Sequence, residues 1–411
     1  MKLYDKLKNR GYIAQETHDL QDILNTKPSH FYIGYDPTAD SLHVGHFLTL
    51  MAARIMQQHG HTPVILIGGG TSRIGDPSGR SDMRQMMTPE TIEHNVSNIK
   101  AQMSRFINFE SVDGKPAAIL ANNADWLNNL NYIDFLRDYG HMFAVNRMIK
   151  MDAYKNRMES DTGLSFLEFN YMIMQAYDFL ELNRRFGCSI QLGGSDQWSN
   201  ILAGVDLIRR CEQKEAYGLT LSLLVKANGE KMGKTAGGAL WLDATKTTPY
   251  EFYQYFRNVD DADVIKCLNL LTTVDEARIS ELAQLKGRDI NTAKEVLAFE
   301  VTKLVHSEAE ATKAQEAAKS LFSQGGASAE ATPTYAMSAD ELAGGVNIID
   351  LCIAVGFGAG RGEIRRLIAQ NGIKVNGAAV ADEHVIIDNS HLTDGHVLLQ
   401  KGKKTFMKVT V

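Results

Sequence analysis

The run Tyr32-Ile-Gly-Tyr-Asp-Pro-Thr-Ala-Asp-Ser-Leu-His-Val-Gly-His46 leaves this chain few ways to fold. Phe31, Ile33 and Tyr35 alternate with small or polar positions, the pattern of a short buried strand over His30–Tyr35. Asp36-Pro37-Thr38 breaks it. From Ser41 the apolar residues Leu42, Phe47, Leu50, Met51, Ile55 and Met56 take helical spacing, with Asp40 or Ser41 the expected cap and Gly60 the expected stop. Pro63–Ile67 is an apolar run ending in three glycines, as a buried parallel strand would be. Strand, crossover helix and strand together specify an α/β, doubly wound (Rossmann-like) sheet, whose ligands bind beyond the carboxyl ends of the strands. His43 and His46 then lie in the first turns of a helix, on one face, with Gly45 between them. A helix N-terminus presents free N–H groups and a positive dipole end, which suits phosphate. Two imidazoles add donors for developing charge, and glycine allows close approach.

The 411 residues are 44% hydrophobic and 22% charged, ordinary for a well-cored protein of two or three domains. A net charge of −6 gives no global signal for nucleic acid, so a polyanion must meet a local basic patch. No apolar run approaches a bilayer's thickness, so no membrane partner is expected. The N-terminus lacks the apolar core of a secretion signal. Cys188, Cys211, Cys267 and Cys352 are far apart, which argues against a structural zinc site and suits a reducing, cytoplasmic compartment.

Further along, residues 2–25 read as two helical pieces. Thr71–Arg84 is loop-like and carries Asp76, Arg80 and Arg84, either a solvated loop or an arm presenting guanidiniums to phosphate. A helix over Thr88–Ile107 and a short strand over Ala117–Leu120 follow. Leu164–Arg185 reads as one helix with Tyr171, Gln175 and Asp178 on one face. Core packing is the simple reading of that face, but buried Gln175 and Asp178 need polar partners, which a ligand would supply. Cys188–Trp198 reads as a strand running into Gly193-Gly194. That places Asp196 for a ribose hydroxyl pair, or makes it a plain helix cap. Leu219–Val225 is strand-like. Lys226–Thr235 is a loop made mobile by Gly233 and Gly237-Gly238, with Lys231 and Lys234 either solvated or poised to clamp negative charge as it develops.

His43-Val-Gly-His46 resembles the His-Ile-Gly-His motif of class I aminoacyl-tRNA synthetases, Val44 being a conservative change. Tyr32–His46, Gly75–Gly79, Tyr171–Asp178, Gly193–Trp198 and Lys231-Met-Gly-Lys-Thr235 stand in the order found in bacterial tyrosyl-tRNA synthetases, and the resemblance covers essentially the whole chain. It implies that Tyr32 and Asp178 bond the phenolic hydroxyl of L-tyrosine. Asp76, Tyr171 and Gln175 would hold its ammonium group, with Gln197 near its carboxylate. Thr38, His43, Arg80, Arg84, Lys231, Lys234 and Thr235 would stabilise the departing pyrophosphate. Gly34, Asp36, His43, Gly45, His46, Gly194, Asp196 and Lys234 would face ATP, with Mg2+ carried by the nucleotide and no tightly bound protein metal. Gly233 and Thr235 replace the serines of the family's Lys-Met-Ser-Lys-Ser pattern, which leaves position 233 without its hydroxyl.

The resemblance also divides the chain. Residues 1–220 would be the catalytic domain, with a dimerisation insertion near 122–165, and 221–245 a linker bearing the lysine loop. Residues 246–323 would be an α-helical anticodon-side domain and 324–344 a flexible linker. Residues 345–411 would be a small α+β S-four-like RNA-binding domain. There Arg361, Arg365, Arg366 and Lys374 cluster, and the helix basic residues would meet tRNA(Tyr) phosphates; Lys401, Lys403, Lys404 and Lys408 add a second basic set, and such charge is often only a solvated face. The expected reaction joins tyrosine's carboxylate to the α-phosphate of ATP, then passes tyrosine to the tRNA 3′ end, by positioning and charge stabilisation. Two rivals are a tryptophan enzyme of the same superfamily and an RNA-binding regulator with an inactive synthetase body. Tyr32 with Asp178 opposes the first. Intact His43, His46, Lys231 and Lys234 oppose the second.

Overall fold

Among the residues described by the computed structural model, six strands build the sheet that the first motif begins. The described residues are 1–76, 78, 88–160, 163–235, 238–323, 334–358, 360–393, 395–402 and 405–411. The strands are β1 (Ile13–Glu16), β2 (His30–Tyr35), β3 (Thr62–Ile67), β4 (Ile119–Asn122), β5 (Cys188–Gly194) and β6 (Tyr217–Leu221), in the order β1-β6-β5-β2-β3-β4. All pairs are parallel except β1 against β6. β2 has β3 on one side and β5 on the other, so the winding reverses between β2 and β5. That crevice at the strands' carboxyl ends is where a doubly wound sheet receives ligand. Every residue of β6, and Pro63–Ile67 of β3, is buried, as strands covered on both faces require.

Local structure departs from the sequence expectations in instructive ways. The second helical piece of residues 2–25 is preceded by β1, whose side chains are only partly buried and whose pairing with β6 is long-range. The helix after β2 runs Val44–Gln58. Neither Asp40 nor Ser41 caps it: His43 Nδ1 accepts from Gly45 N–H at 3.1 Å, and His46 Nδ1 accepts from His43 N–H at 3.3 Å. Leu164–Arg185 is two helices, Phe166–Phe169 and Tyr171–Phe186, the first opened by a Ser165–Glu168 capping box. Asp196 caps no helix; it sits in the 3-10 turn Ser195–Gln197. The lysine segment is not simply loose, since Lys234–Thr235 pairs with Gly238–Ala239.

Contacts divide the chain into two units, Met1–Thr247 with Val259–Val305, and Thr248–Asn258 with His306–Val411. The helices of 246–323 are therefore shared between them. In the first unit, Arg10 donates to the carbonyls of Asn269, Thr272 and Val274, and Lys266 Nζ donates to Val225 O, which ties the helix Val264–Leu271 to the sheet-bearing part. In the second, Pro249–Arg257 packs on Glu308–Ser323. The second unit also holds a five-stranded sheet over a core that includes Ile348, Phe357, Ile364, Ile373, Leu399 and Val409. Thr334–Ala336, expected within the 324–344 linker, is an edge strand of that sheet, parallel to Thr405–Thr410, and Ala339–Ala343 is a short helix. Residues 324–333 lie outside the described residues.

Candidate active site

β2 and β5 deliver their last residues to the crevice, and three other segments close over it: the start of Val44–Gln58, the buried face of Tyr171–Phe186, and the lysine segment. The result is a cleft of about 760 Å³. Tyr32, Gly34, Asp36, Thr38, His43, Gly45, His46, Asp76, Tyr171, Gln175, Asp178, Gly194, Asp196, Gln197, Lys231 and Lys234 all line it. Residues from five separate stretches of sequence therefore meet around one space. Thr235 continues the strand of Lys234. Arg80 and Arg84 lie outside the described residues.

At one end lie Tyr32 and Asp178, 1% and 2% exposed. Asp178 accepts from Asn123 Nδ2 at 2.9 Å and from Trp126 Nε1 at 2.7 Å. Burial nevertheless pushes its carboxyl up to about 7. The Tyr32 hydroxyl is buried and makes no hydrogen bond of normal geometry among the described residues; burial next to Asp178 holds its phenol well above the usual range, and Gln175 nearby opposes that rise. A buried hydroxyl without a partner destabilises the protein unless something binds it.

Beside them runs a polar chain. Gln197 donates to Asp76 Oδ2 at 2.7 Å and Gln175 donates to Gln197 Oε1 at 3.2 Å. Asn200 donates to Gln175 Oε1 at 2.9 Å. Tyr171 Oη donates to Asp36 Oδ2 at 3.0 Å, and Thr71 Oγ1 donates to Asp36 Oδ1 at 2.8 Å. Two carboxylates and two amide oxygens thus line the cleft, and of these Asp76 and Gln175 suit an ammonium group.

The opposite end is basic. His43 and His46 stack with ring centroids 3.9 Å apart and planes 21° apart, and Trp241 lies 6.2 Å from His43. Burial pulls the His43 imidazole below its ordinary value, and Lys231 pushes it the same way, which favours a neutral donor. Burial, with Asp76 nearby, raises Asp196, and Lys231 opposes that rise. Val44 N–H donates to Leu240 O at 3.0 Å, and Leu242 N–H to Leu42 O at 2.8 Å, so the segment after the lysines is bound to the histidine motif. Gly233 sits at φ +86°, with Val44 occupying the space a side chain would need. That conformation explains glycine where the related pattern has serine.

Asn123, Trp126, Thr71 and Asn200 were not singled out from sequence. Asn123 also receives Gly70 N–H at 2.7 Å and donates to Thr71 Oγ1 at 2.9 Å, so it organises the turn after β3. No local spacing marks these residues; only the fold brings Asn123 and Trp126 to Asp178, Thr71 to Asp36 and Asn200 to Gln175.

In the second unit, Arg361 pairs with Asp350 at 2.8 Å and Arg365 with Glu383 at 2.6 Å, while Arg366 is exposed and Lys374 half-buried on the strand Ile373–Val375. The second basic set needs correcting. Lys408 is buried, and Lys401 is turned to the carbonyl of Phe357 and to Glu363, because both lie on sheet strands whose faces pack inward. Lys403 and Lys404 lie outside the described residues.

Residues 24–323 match the family model described as class I tRNA synthetases (W and Y), and residues 326–409 match a tyrosine–tRNA ligase SYY-like C-terminal domain. A tyrosine–tRNA ligase of Acetivibrio thermocellus is 54% identical over 409 residues, 99% of this chain and 98% of that protein. One from Clostridium kluyveri is 52% identical over 411 residues, 100% of this chain and 99% of its own. Among solved structures, a C-terminally truncated mitochondrial tyrosyl-tRNA synthetase of Aspergillus nidulans superposes with a TM-score of 0.70 at 30% identity, covering 78% of this chain and 94% of its own.

Proposed function

This chain belongs to the class I tRNA synthetases of the tryptophan and tyrosine branch, and from that membership and the cleft we infer that it is a tyrosine–tRNA ligase. It activates L-tyrosine with ATP to tyrosyl-adenylate and pyrophosphate, then transfers tyrosine to the 3′ end of tRNA(Tyr). The observation that carries the choice of amino acid is the unpartnered, buried Tyr32 hydroxyl beside Asp178 at one end of the cleft. A phenolic hydroxyl placed there accepts from Tyr32 and donates to Asp178. Phenylalanine leaves both unpaired, an effect for which tyrosyl-tRNA synthetases are the established illustration.

The substrate's ammonium group sits among Asp76, Tyr171 and Gln175, with Gln197 towards its carboxylate. That carboxylate attacks the α-phosphate in line, a bond to phosphorus forms, and the bond to the pyrophosphate oxygen breaks. No protein nucleophile is required, so the residues act by placement and charge. Gly34, Asp36, Gly45, His46, Gly194 and Asp196 receive the adenosine. Thr38, His43, Lys231, Lys234 and Thr235, with Arg80 and Arg84, stabilise the leaving pyrophosphate. Mg2+ arrives on the nucleotide and supplies charge neutralisation to its phosphates.

The C-terminal module takes tRNA phosphates by exchanging exposed ion pairs of Arg361 and Arg365 for phosphate contacts, with Arg366 and Lys374 beside them. The protein works as a homodimer in the cytoplasm. Support for the dimer is the apolar surface of the insertion and of the helix that follows it: Ile133 and Phe166 are 68% and 70% exposed, with Tyr132 and Val145 also solvent-facing. Ile133→Asp with Phe166→Asp is expected to halve the sedimenting mass. Among the described residues no helix is long and apolar enough to cross a membrane.

ATP–pyrophosphate exchange with each amino acid in turn tests the assignment. Exchange dependent on tyrosine alone is expected. Exchange driven by tryptophan, or none with any amino acid, overturns it.

A further inference from the structure

The second carboxylate oxygen of Asp178 is held by an indole whose other side is covered by a cation. Arg185, at the end of the helix Tyr171–Phe186 and outside the cleft lining, places its guanidinium carbon 5.0 Å from the Trp126 ring centroid. Its Nε donates to Glu181 Oε2 at 2.9 Å, and Glu181 also takes Arg184 at 3.2 Å. Trp126 in turn donates to Asp178 at 2.7 Å. We propose that Arg185 is a positioning residue for tyrosine selection: held by Glu181 over Trp126, it fixes the indole and strengthens its hydrogen bond to Asp178. The inference rests on the reading of Asp178 as the acceptor of the substrate hydroxyl.

A cation over an aromatic face draws on the ring's electron density, which makes the indole N–H a better donor. It also resists rotation of the ring away from Asp178. The groups facing Asp178 are Asn123 and Trp126, which favour the carboxylate, and Asp36, Glu181 and the Tyr32 hydroxyl, which lie near enough to interact with it. The groups facing Glu181 are Arg184, Arg185 and Tyr177. Removing Arg185 therefore weakens a donor to Asp178 and uncovers part of the charge on Glu181. Both changes favour the protonated acid, a weaker acceptor for the substrate's hydroxyl than the carboxylate and one whose own O–H competes as a donor.

Arg185 has a side chain 45% exposed, so replacing it leaves the core intact. The full-length enzyme, Arg185→Leu, Arg185→Gln and Arg185→Lys are compared for the KM of tyrosine in ATP–pyrophosphate exchange from pH 5.5 to 8.5, and for the ratio of kcat/KM between tyrosine and phenylalanine. In Arg185→Leu and Arg185→Gln the rise of KM on the acid side is expected to move to higher pH. KM at pH 7 is expected to grow about two- to fivefold, the span of a half-exposed cation–π contact. kcat at saturating tyrosine stays unchanged, and Arg185→Lys restores most of the profile. An acid limb that stays in place, or a KM raised by one factor at every pH, overturns the proposal. The wild-type limb itself should vanish in Asp178→Asn; if it does not, the reading of Asp178 fails and the proposal with it.

Discussion

Val44 and Leu240 are joined by a backbone hydrogen bond of 3.0 Å, although almost two hundred residues separate them in sequence. That bond, with the Leu42–Leu242 pair, fastens the segment bearing Lys231 and Lys234 to the helix start bearing His43 and His46. The segment carrying the lysines proposed to meet the phosphate tail is thereby joined to the histidine motif by main chain.

Gly233 is the tightest point of that junction. Gly233→Ser puts a side chain at φ +86°, a strain of roughly 1–2 kcal/mol, and drives it against Val44. The lysines on either side are expected to shift. Pyrophosphate exchange should slow by about tenfold, the effect of roughly 1.4 kcal/mol in the barrier. Equilibrium binding of tyrosine, which relies on the other end of the cleft, should stay within twofold. An unchanged kcat would show that the loop tolerates serine.

Tyr32→Phe has two expected consequences of opposite sense. The free enzyme loses a buried, unpartnered hydroxyl and gains about 1 kcal/mol of stability in urea unfolding. Selection of tyrosine over phenylalanine weakens because one hydroxyl reader is gone. Both are read on one preparation, and undiminished selectivity would remove Tyr32 from the pocket.

Asp178 makes the free protein's stability depend on pH. Its carboxyl titrates near 7 when folded against an ordinary 3.8, so the folded state binds the proton more tightly. The associated stability is fully present below about 4 and is lost as pH rises through about 7, by roughly 1.4 kcal/mol per unit of separation. Asp178→Asn should flatten that slope and be the more stable protein at pH 8, though a poor binder of tyrosine. Parallel urea curves for the two proteins at pH 5 and pH 8 check the sign.

Ending the chain after Ser323 removes the S-four-like module and leaves every cleft residue in place. Tyrosyl-adenylate formation is expected to persist while charging of tRNA falls by more than tenfold, as loss of several phosphate contacts requires. An equal loss of both activities would make the module a structural support.

Much of the cleft was legible because its parts are local devices. A strand, a turn and a helix start announce themselves through periodicity and breakers over fifteen residues, and Tyr171, Gln175 and Asp178 share a face by helix geometry alone. Other features were hidden for the same reason. β1 lacks a buried face of its own and exists through its pairing with β6. Lys408 looks like surface charge until the sheet turns it inward.

The sequence alone determined the doubly wound class, the order of the motifs and sixteen of the residues that line the cleft, from short-range pattern, residue chemistry and resemblance to a known family. Only the tertiary structure decided that His43 caps its own helix, that Asn123 and Trp126 hold Asp178, and that Val44 fills the space beside Gly233. Each of those depends on burial and on hydrogen-bond geometry, most of it between segments far apart in the chain, and no run of neighbouring residues encodes that distance.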